Sequence, residues 1–161
     1  MKTKVAYFGV LTALALIFSY VESLIPIHMG IPGVKLGLAN LIIVFALYKM
    51  SIKEVYILSV IRIVLAGFMF GNLFAILYSL AGGMLSLTIM SILKRTDKFS
   101  IYGISMAGGV FHNIGQLLMA AIVLESVSIG YYFPVLLISG LATGFVIGVI
   151  SNEMMKRLKK L

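Results

Sequence analysis

Arg62 is the residue in this sequence that most needs a chemical explanation. It lies inside the apolar run Val55-Tyr56-Ile57-Leu58-Ser59-Val60-Ile61-Arg62-Ile63-Val64-Leu65-Ala66. A guanidinium is always charged, and its rigid fork of donors matches a carboxylate or a phosphate. In hydrocarbon it costs at least ~2.5–3.5 kcal/mol unless it meets a partner or water. Ser59 and Ala66 share its helical face, so that face points inward. Three roles remain open for Arg62: an anchor for an anionic or polar ligand group, half of an ion pair with Glu22, or a donor to helix carbonyls.

The other chemically capable residues fall in two groups. Glu22 and Lys35 flank a kinked reversal that contains Pro26, His28 and Pro32. They form either a salt bridge that clamps the loop or a pair of which one member faces a ligand. Lys35 falls in the first turn of the second helical segment, where its charge opposes the helix dipole. Asn40 lies about one turn inside that segment, where an amide needs partners from a neighbouring helix or a ligand. The second group is His112, Asn113 and Gln116, the densest polar cluster in any apolar segment. His112 and Gln116 are four apart and share a face. Ligand contact and helix-packing hydrogen bonds are both open to this cluster.

Several chemistries are excluded. There is no cysteine, His28 is far from His112 in sequence, and no H-x-x-x-H occurs, so no metal site is expected. There is no G-x-x-x-x-G-K-[ST], so the chain has no P-loop for ATP. Only five acidic residues are present, with no aspartate cluster to hold magnesium against a diphosphate. No serine–histidine–acid set is apparent. The chemistry on offer is binding without catalysis, and no cofactor is implied.

The elements that must position these residues are greasy. The chain is 61% hydrophobic and 11% charged, with mean hydropathy +1.14, whereas a soluble domain carries about 25% charged residues. Lipid is the expected solvent. Six helical segments are expected at about 5–25, 34–50, 54–69, 73–93, 101–124 and 132–155, in one domain spanning 1–161. Lys2 and Lys4 precede an apolar run too long for a signal core and without an A-x-A-like site, so it reads as an uncleaved first helix. Six crossings put both termini on one side. That side carries eleven of the thirteen basic residues, all but Lys35 and Arg62, and is therefore cytoplasmic. The charge of +8 then reflects topology and anionic lipid, not nucleic acid. A cell membrane of bacterial type is the expected location.

Small residues recur at four-residue steps: Gly140, Gly144 and Gly148; Ser79 and Gly83; Gly103 and Ala107; Gly9 and Ala13. Such stripes let helices approach closely, inside the bundle or against a partner, and the first helix is the strongest candidate for a partner face. Tyr20, Phe70, Phe74, Tyr131, Tyr132 and Phe133 form an aromatic belt at the outer side.

The motifs Ile31-Pro32-Gly33-Val34-Lys35-Leu36-Gly37-Leu38-Ala39-Asn40, the Arg62 helix, Ser79-Leu80-Ala81-Gly82-Gly83 and His112-Asn113-Ile114-Gly115-Gln116 carry a resemblance over nearly the whole chain. It resembles the heptaprenyl diphosphate synthase component I family, also called the Gx transporter family. That family in turn resembles the substrate-binding S components of energy-coupling factor (ECF) transporters. The resemblance implies a six-helix membrane bundle that binds a small molecule near its outer face, beneath the first loop. It also implies docking of helix one, through Gly9 and Ala13, on a coupling subunit that works with ATPases. Prenyl diphosphate synthases resemble soluble proteins with aspartate-rich motifs, and none is present here. The family also looks associated with quinone- and flavin-linked redox systems.

The leading expectation is a substrate-binding component of an ECF-like transporter. Arg62, Lys35, Asn40, His112, Asn113, Gln116 and Glu22 would hold a flavin-, quinone- or isoprenoid-related ligand. The alternative is a non-catalytic membrane subunit of an isoprenoid, menaquinone or extracellular electron-transfer assembly.

Overall fold

The computed structural model describes residues 2–25 and 37–158. They form α1 (Lys2–Leu24), α2 (Leu38–Lys49), α3 (Ile52–Phe70), α4 (Leu73–Arg95), α5 (Ile101–Val123) and α6 (Phe133–Leu158). A short 3-10 helix, Val127–Tyr132, leads into α6. There is no strand among the described residues.

The helices differ in their fitness to cross a bilayer. Four segments, Val5–Leu24, Leu73–Arg95, Ile101–Val123 and Val127–Arg157, are long and apolar enough. α3 has 19 residues but carries Lys53, Glu54 and Arg62. α2 has 12 residues, so it is only ~18 Å long against a hydrocarbon thickness of ~30 Å. The second segment, expected at 34–50, is thus helical over Leu38–Lys49. Gly37 caps its start at φ 71°, in the left-handed region that a right-handed helix cannot pass through. Residues 34–36 lie outside the described residues.

Short as it is, α2 is the core. Ala39 and every residue over 41–47 are buried. A helix that is apolar all round must be covered all round, and α1, α3 and α6 supply the cover. At its far end Lys94 Nζ donates to the Leu47 carbonyl at 2.5 Å and lies 5.0 Å from the centre of the Tyr48 ring. A cation there satisfies a carbonyl left over at the helix end and opposes the dipole.

Glycine sets the other contacts. A Cβ on Gly144 would fall 2.6 Å from the Ser105 carbonyl oxygen, and one on Gly140 would fall 2.8 Å from that of Gly109. A Cβ on Gly148 would meet the Tyr102 Cα at 3.0 Å. The α6 stripe therefore faces α5, backbone on backbone. α4 meets α5 in the same way: a Cβ on Gly82 would lie 2.6 Å from the His112 carbonyl, and one on Gly115 2.7 Å from that of Ala81. In a medium as apolar as the side chains, such close approach is what holds helices together. Gly9 differs, with nothing within 4 Å of its Cβ position.

Local signals fix the ends. Ser51 and Glu54 form a capping box, which starts α3 at Ile52, two residues before the expected 54. Asn72 accepts from the Ala75 N–H at 2.8 Å and caps α4. α5 closes on Glu125 at φ 47°. The Glu125 N–H donates to Ile122 O at 3.3 Å and the Ser126 N–H to Ala121 O at 3.2 Å, which is the Schellman pattern.

Gly144→Val should destabilise the bundle by about 1–3 kcal/mol through overpacking against α5. Gly9→Val should stay within about 0.5 kcal/mol, since it changes only helix propensity. Thermal unfolding of both variants in one detergent checks the contrast.

Candidate functional site

The bundle encloses a cavity of about 430 Å³, within the range of small-molecule sites. It is bordered near one end by Leu24, Phe70 and Gly71, and near the other by Val44, Met90 and Ile147. Rings of Tyr20 and Phe70 meet at 5.0 Å between centroids beside the first end.

Arg62 borders this cavity. It is 9% exposed, and its Nη2 donates to Asn40 Oδ1 across a long 3.4 Å. Its Nε is buried with no hydrogen-bond partner among the described residues. The sole ion pair within 4 Å among the described residues is the exposed Glu153–Arg157 pair on α6. Glu22 therefore does not pair with Arg62 at contact distance. The guanidinium sits in the position that desolvation makes most costly, with most of its donors unspent.

Glu22 has a different engagement. It borders the same cavity, and its Oε1 accepts from the Gly37 N–H at 2.6 Å. The first amides of a helix have no partner within it, and a carboxylate there also suits the dipole. Glu22 thus ties the end of α1 to the start of α2. Lys35 and His28, the other polar residues of that reversal, lie outside the described residues.

Asn40 is in the first turn of α2, with its N–H bonded to Gly37 O at 2.8 Å and its side chain toward Arg62. The cluster on α5 divides. His112 and Asn113 border the cavity. Asn113 Nδ2 also donates to Leu136 O at 2.7 Å and to Ser139 Oγ at 3.3 Å, which ties α5 to α6. Gln116 is buried and is not among the residues bordering the cavity. Its Cγ would lie 2.8 Å from a Cβ on Gly82, so it fills the α4–α5 contact.

A second polar tier lies deeper, and its members were not singled out from the sequence. Ser86, Ser105 and Thr143 border the cavity there. Ser86 Oγ donates to Gly108 O at 2.8 Å. Ser105 Oγ is buried, at 2% residue exposure, with no hydrogen-bond partner among the described residues. The signal for them is the spacing Ser105, Gly108, His112 on α5, which lines one helical face with small and polar residues.

Gly9 and Ala13 are far from this site in kind. Both are exposed on α1, among exposed Val5, Val10, Leu14 and Ile17. Among the described residues no group of three His, Cys, Asp or Glu could hold a metal.

Apolar helices long enough to cross a bilayer, packed around a cavity that a buried arginine borders, define a membrane protein. The model of the heptaprenyl diphosphate synthase component I family matches residues 11–154, and the chain belongs to that family. No curated protein and no solved structure matches it.

Asn113→Ala should lower stability by about 0.5–1.5 kcal/mol, the worth of one lost hydrogen bond, since Ser139 Oγ still donates to the Leu136 carbonyl. A chemical or thermal unfolding series in detergent measures it.

Proposed function

We propose that this chain is a membrane-embedded substrate-binding component of an ECF-like transporter. One observation carries the reading: a 430 Å³ internal cavity onto which a buried guanidinium presents unspent donors. Such a charge is expensive to keep unless a bound group uses it. In this reading all six helices belong to one membrane bundle. Both termini face the cytoplasm, where the basic residues lie. The small molecule, of flavin, quinone or isoprenoid type, enters from outside, near Leu24 and Phe70. Arg62, Lys35, Asn40, Glu22, His112 and Asn113 supply polar contacts, and Gln116 supports the wall. The partner reading draws on the uncovered face of α1 around Gly9 and Ala13, which suits a coupling subunit linked to ATPases.

A second reading shares that uncovered face. As one component of a larger assembly, which the family name describes, the chain would dock a synthase or redox subunit through α1. The cavity would then hold a lipid or a structural molecule.

Purification from the native membrane in mild detergent, with mass spectrometry of what co-purifies, separates the two. The transporter reading expects ATPases and a coupling subunit, lost on Gly9→Trp, and a retained small molecule. A synthase or redox subunit without ATPases overturns it. Arg62→Ala should weaken binding of the retained molecule by roughly tenfold or more, the worth of a charge-assisted bond, with folded protein still recovered. Binding at wild-type strength ends the anchor role. Sidedness is testable because the chain has no cysteine. Asp97→Cys should label only from the cytoplasmic side and Ser128→Cys only from outside.

A further inference from the structure

Two orphaned polar atoms border the cavity, and they lie at different depths. Arg62 Nε and Ser105 Oγ are each buried without a hydrogen-bond partner among the described residues, on residues 9% and 2% exposed. Buried polar atoms are nearly always paired, because an unpaired one costs about 1–3 kcal/mol. Ser59, Ser91 and Ser151 also carry buried Oγ atoms without a partner among the described residues, but none of the three borders the cavity; Arg62 and Ser105 do, where one bound molecule can serve both.

Their relative height follows from the packing. A Cβ on Gly83 of α4 would meet Ile63 Cδ1 at 2.9 Å, and one on its neighbour Gly82 would meet the His112 carbonyl at 2.6 Å. Arg62 and His112 thus share one level of the bundle. Ser105 lies seven residues earlier on α5, two turns or ~10 Å further along it. It lies toward Met90, whose Sδ approaches the Gly108 position. Between the two levels Gly108 and Gly109 border the cavity, with Met90 packed against the first and the α6 backbone at Gly140 against the second.

Resting on the small-molecule reading above, we propose that the cavity takes an elongated organic anion. Its carboxylate or phosphate seats on the Arg62 fork, and a second polar atom ~10 Å away bonds Ser105 Oγ. The guanidinium offers two parallel N–H donors, the arrangement that a planar oxyanion fills. Glu22 acts on Arg62 electrostatically, but its Oε1 is held by Gly37 and it forms no ion pair with Arg62 within 4 Å, so it does not take up the donors of the fork. A serine hydroxyl both donates and accepts, so the far group is a hydroxyl, a carbonyl or a ring nitrogen. The body between them passes Ile63, Met90 and Ile147, which suits an apolar chain or flat ring.

The test uses the full chain in nanodiscs and four water-soluble probes measured by calorimetry: 8-hydroxyoctanoate, octanoate, octyl phosphate and 1,8-octanediol. The expected order puts 8-hydroxyoctanoate ahead of octanoate by about fivefold, one neutral hydrogen bond, and both acids ahead of the diol by roughly tenfold or more. Octanoate against octyl phosphate reads which oxyanion is preferred. Ser105→Ala should erase the advantage of the hydroxy acid and leave octanoate unchanged. Arg62→Lys keeps the charge but loses the fork, and should weaken both acids together while the diol is unaffected. Equal binding of acid and hydroxy acid, or no effect of Ser105→Ala, overturns the second contact. A diol that binds as well as the acids overturns the anion. Failure of all four probes overturns the class proposed here. The wider cavity reading falls separately, when protein from the native membrane also carries no small molecule.

Discussion

One guanidinium surrounded by apolar helices is the constraint around which this molecule is arranged. Arg62 has no carboxylate within 4 Å among the described residues, and its one bond, to Asn40, is long. In water such a group would be unremarkable. In a bundle whose exterior faces hydrocarbon, every donor must be met from inside the protein or by something it encloses. The cavity is therefore the other half of the Arg62 environment. Asn40 depends on Gly37 to start α2 at the right place, and Gly37 depends on Glu22. The polar residues at this end form a chain of dependence from α1 through α2 to α3.

The opposite wall is built on another principle. α4, α5 and α6 are held by backbone contact at Gly82, Gly115, Gly140, Gly144 and Gly148. Contacts of that kind leave no side chain to rearrange. By contrast α1 leaves most of its surface uncovered and meets the rest through side chains such as Leu11 and Ala15. The molecule thus combines a stiff three-helix wall with a loosely covered first helix, and the cavity lies between them. Glycine does two jobs here. It brings α4, α5 and α6 together, and at Gly108 and Gly109 it also forms part of the cavity border.

Much of this was legible in the residues. Apolar length and punctuation by Pro26, Gly71-Asn72 and Lys94-Arg95 placed the helices to within a few residues. The Ser51-x-x-Glu54 box was readable as a start signal, and it accounts for the two-residue difference at α3. Arg62, Asn40, Glu22, His112 and Asn113 converge on one cavity, and each stood out as a polar residue in an apolar segment. Three features were not legible. The short reach of α2 depends on the left-handed turn at Gly37, and glycine in sequence does not declare its φ. The separation of Gln116 from His112 depends on where the cavity ends, because a shared face does not fix depth along a helix. Ser105 was hidden for a plainer reason: serine is common in apolar helices, and only its place on the cavity border together with the lack of a partner among the described residues marks it.

The brevity of α2 has a consequence for how the surrounding lipid acts on the protein. A helix ~18 Å long, covered on every side, never touches an acyl chain. Changes in bilayer thickness are met by tilt or local deformation at the helices that do touch lipid, above all α1 and the outer faces of α4 and α6. The residue that starts α2, Gly37, and the asparagine that meets Arg62 sit on the one helix that hydrophobic mismatch cannot pull. Strain in the outer walls can reach the polar end of the cavity only through neighbouring helices, and the Glu22 bond to Gly37 is the direct link from α1.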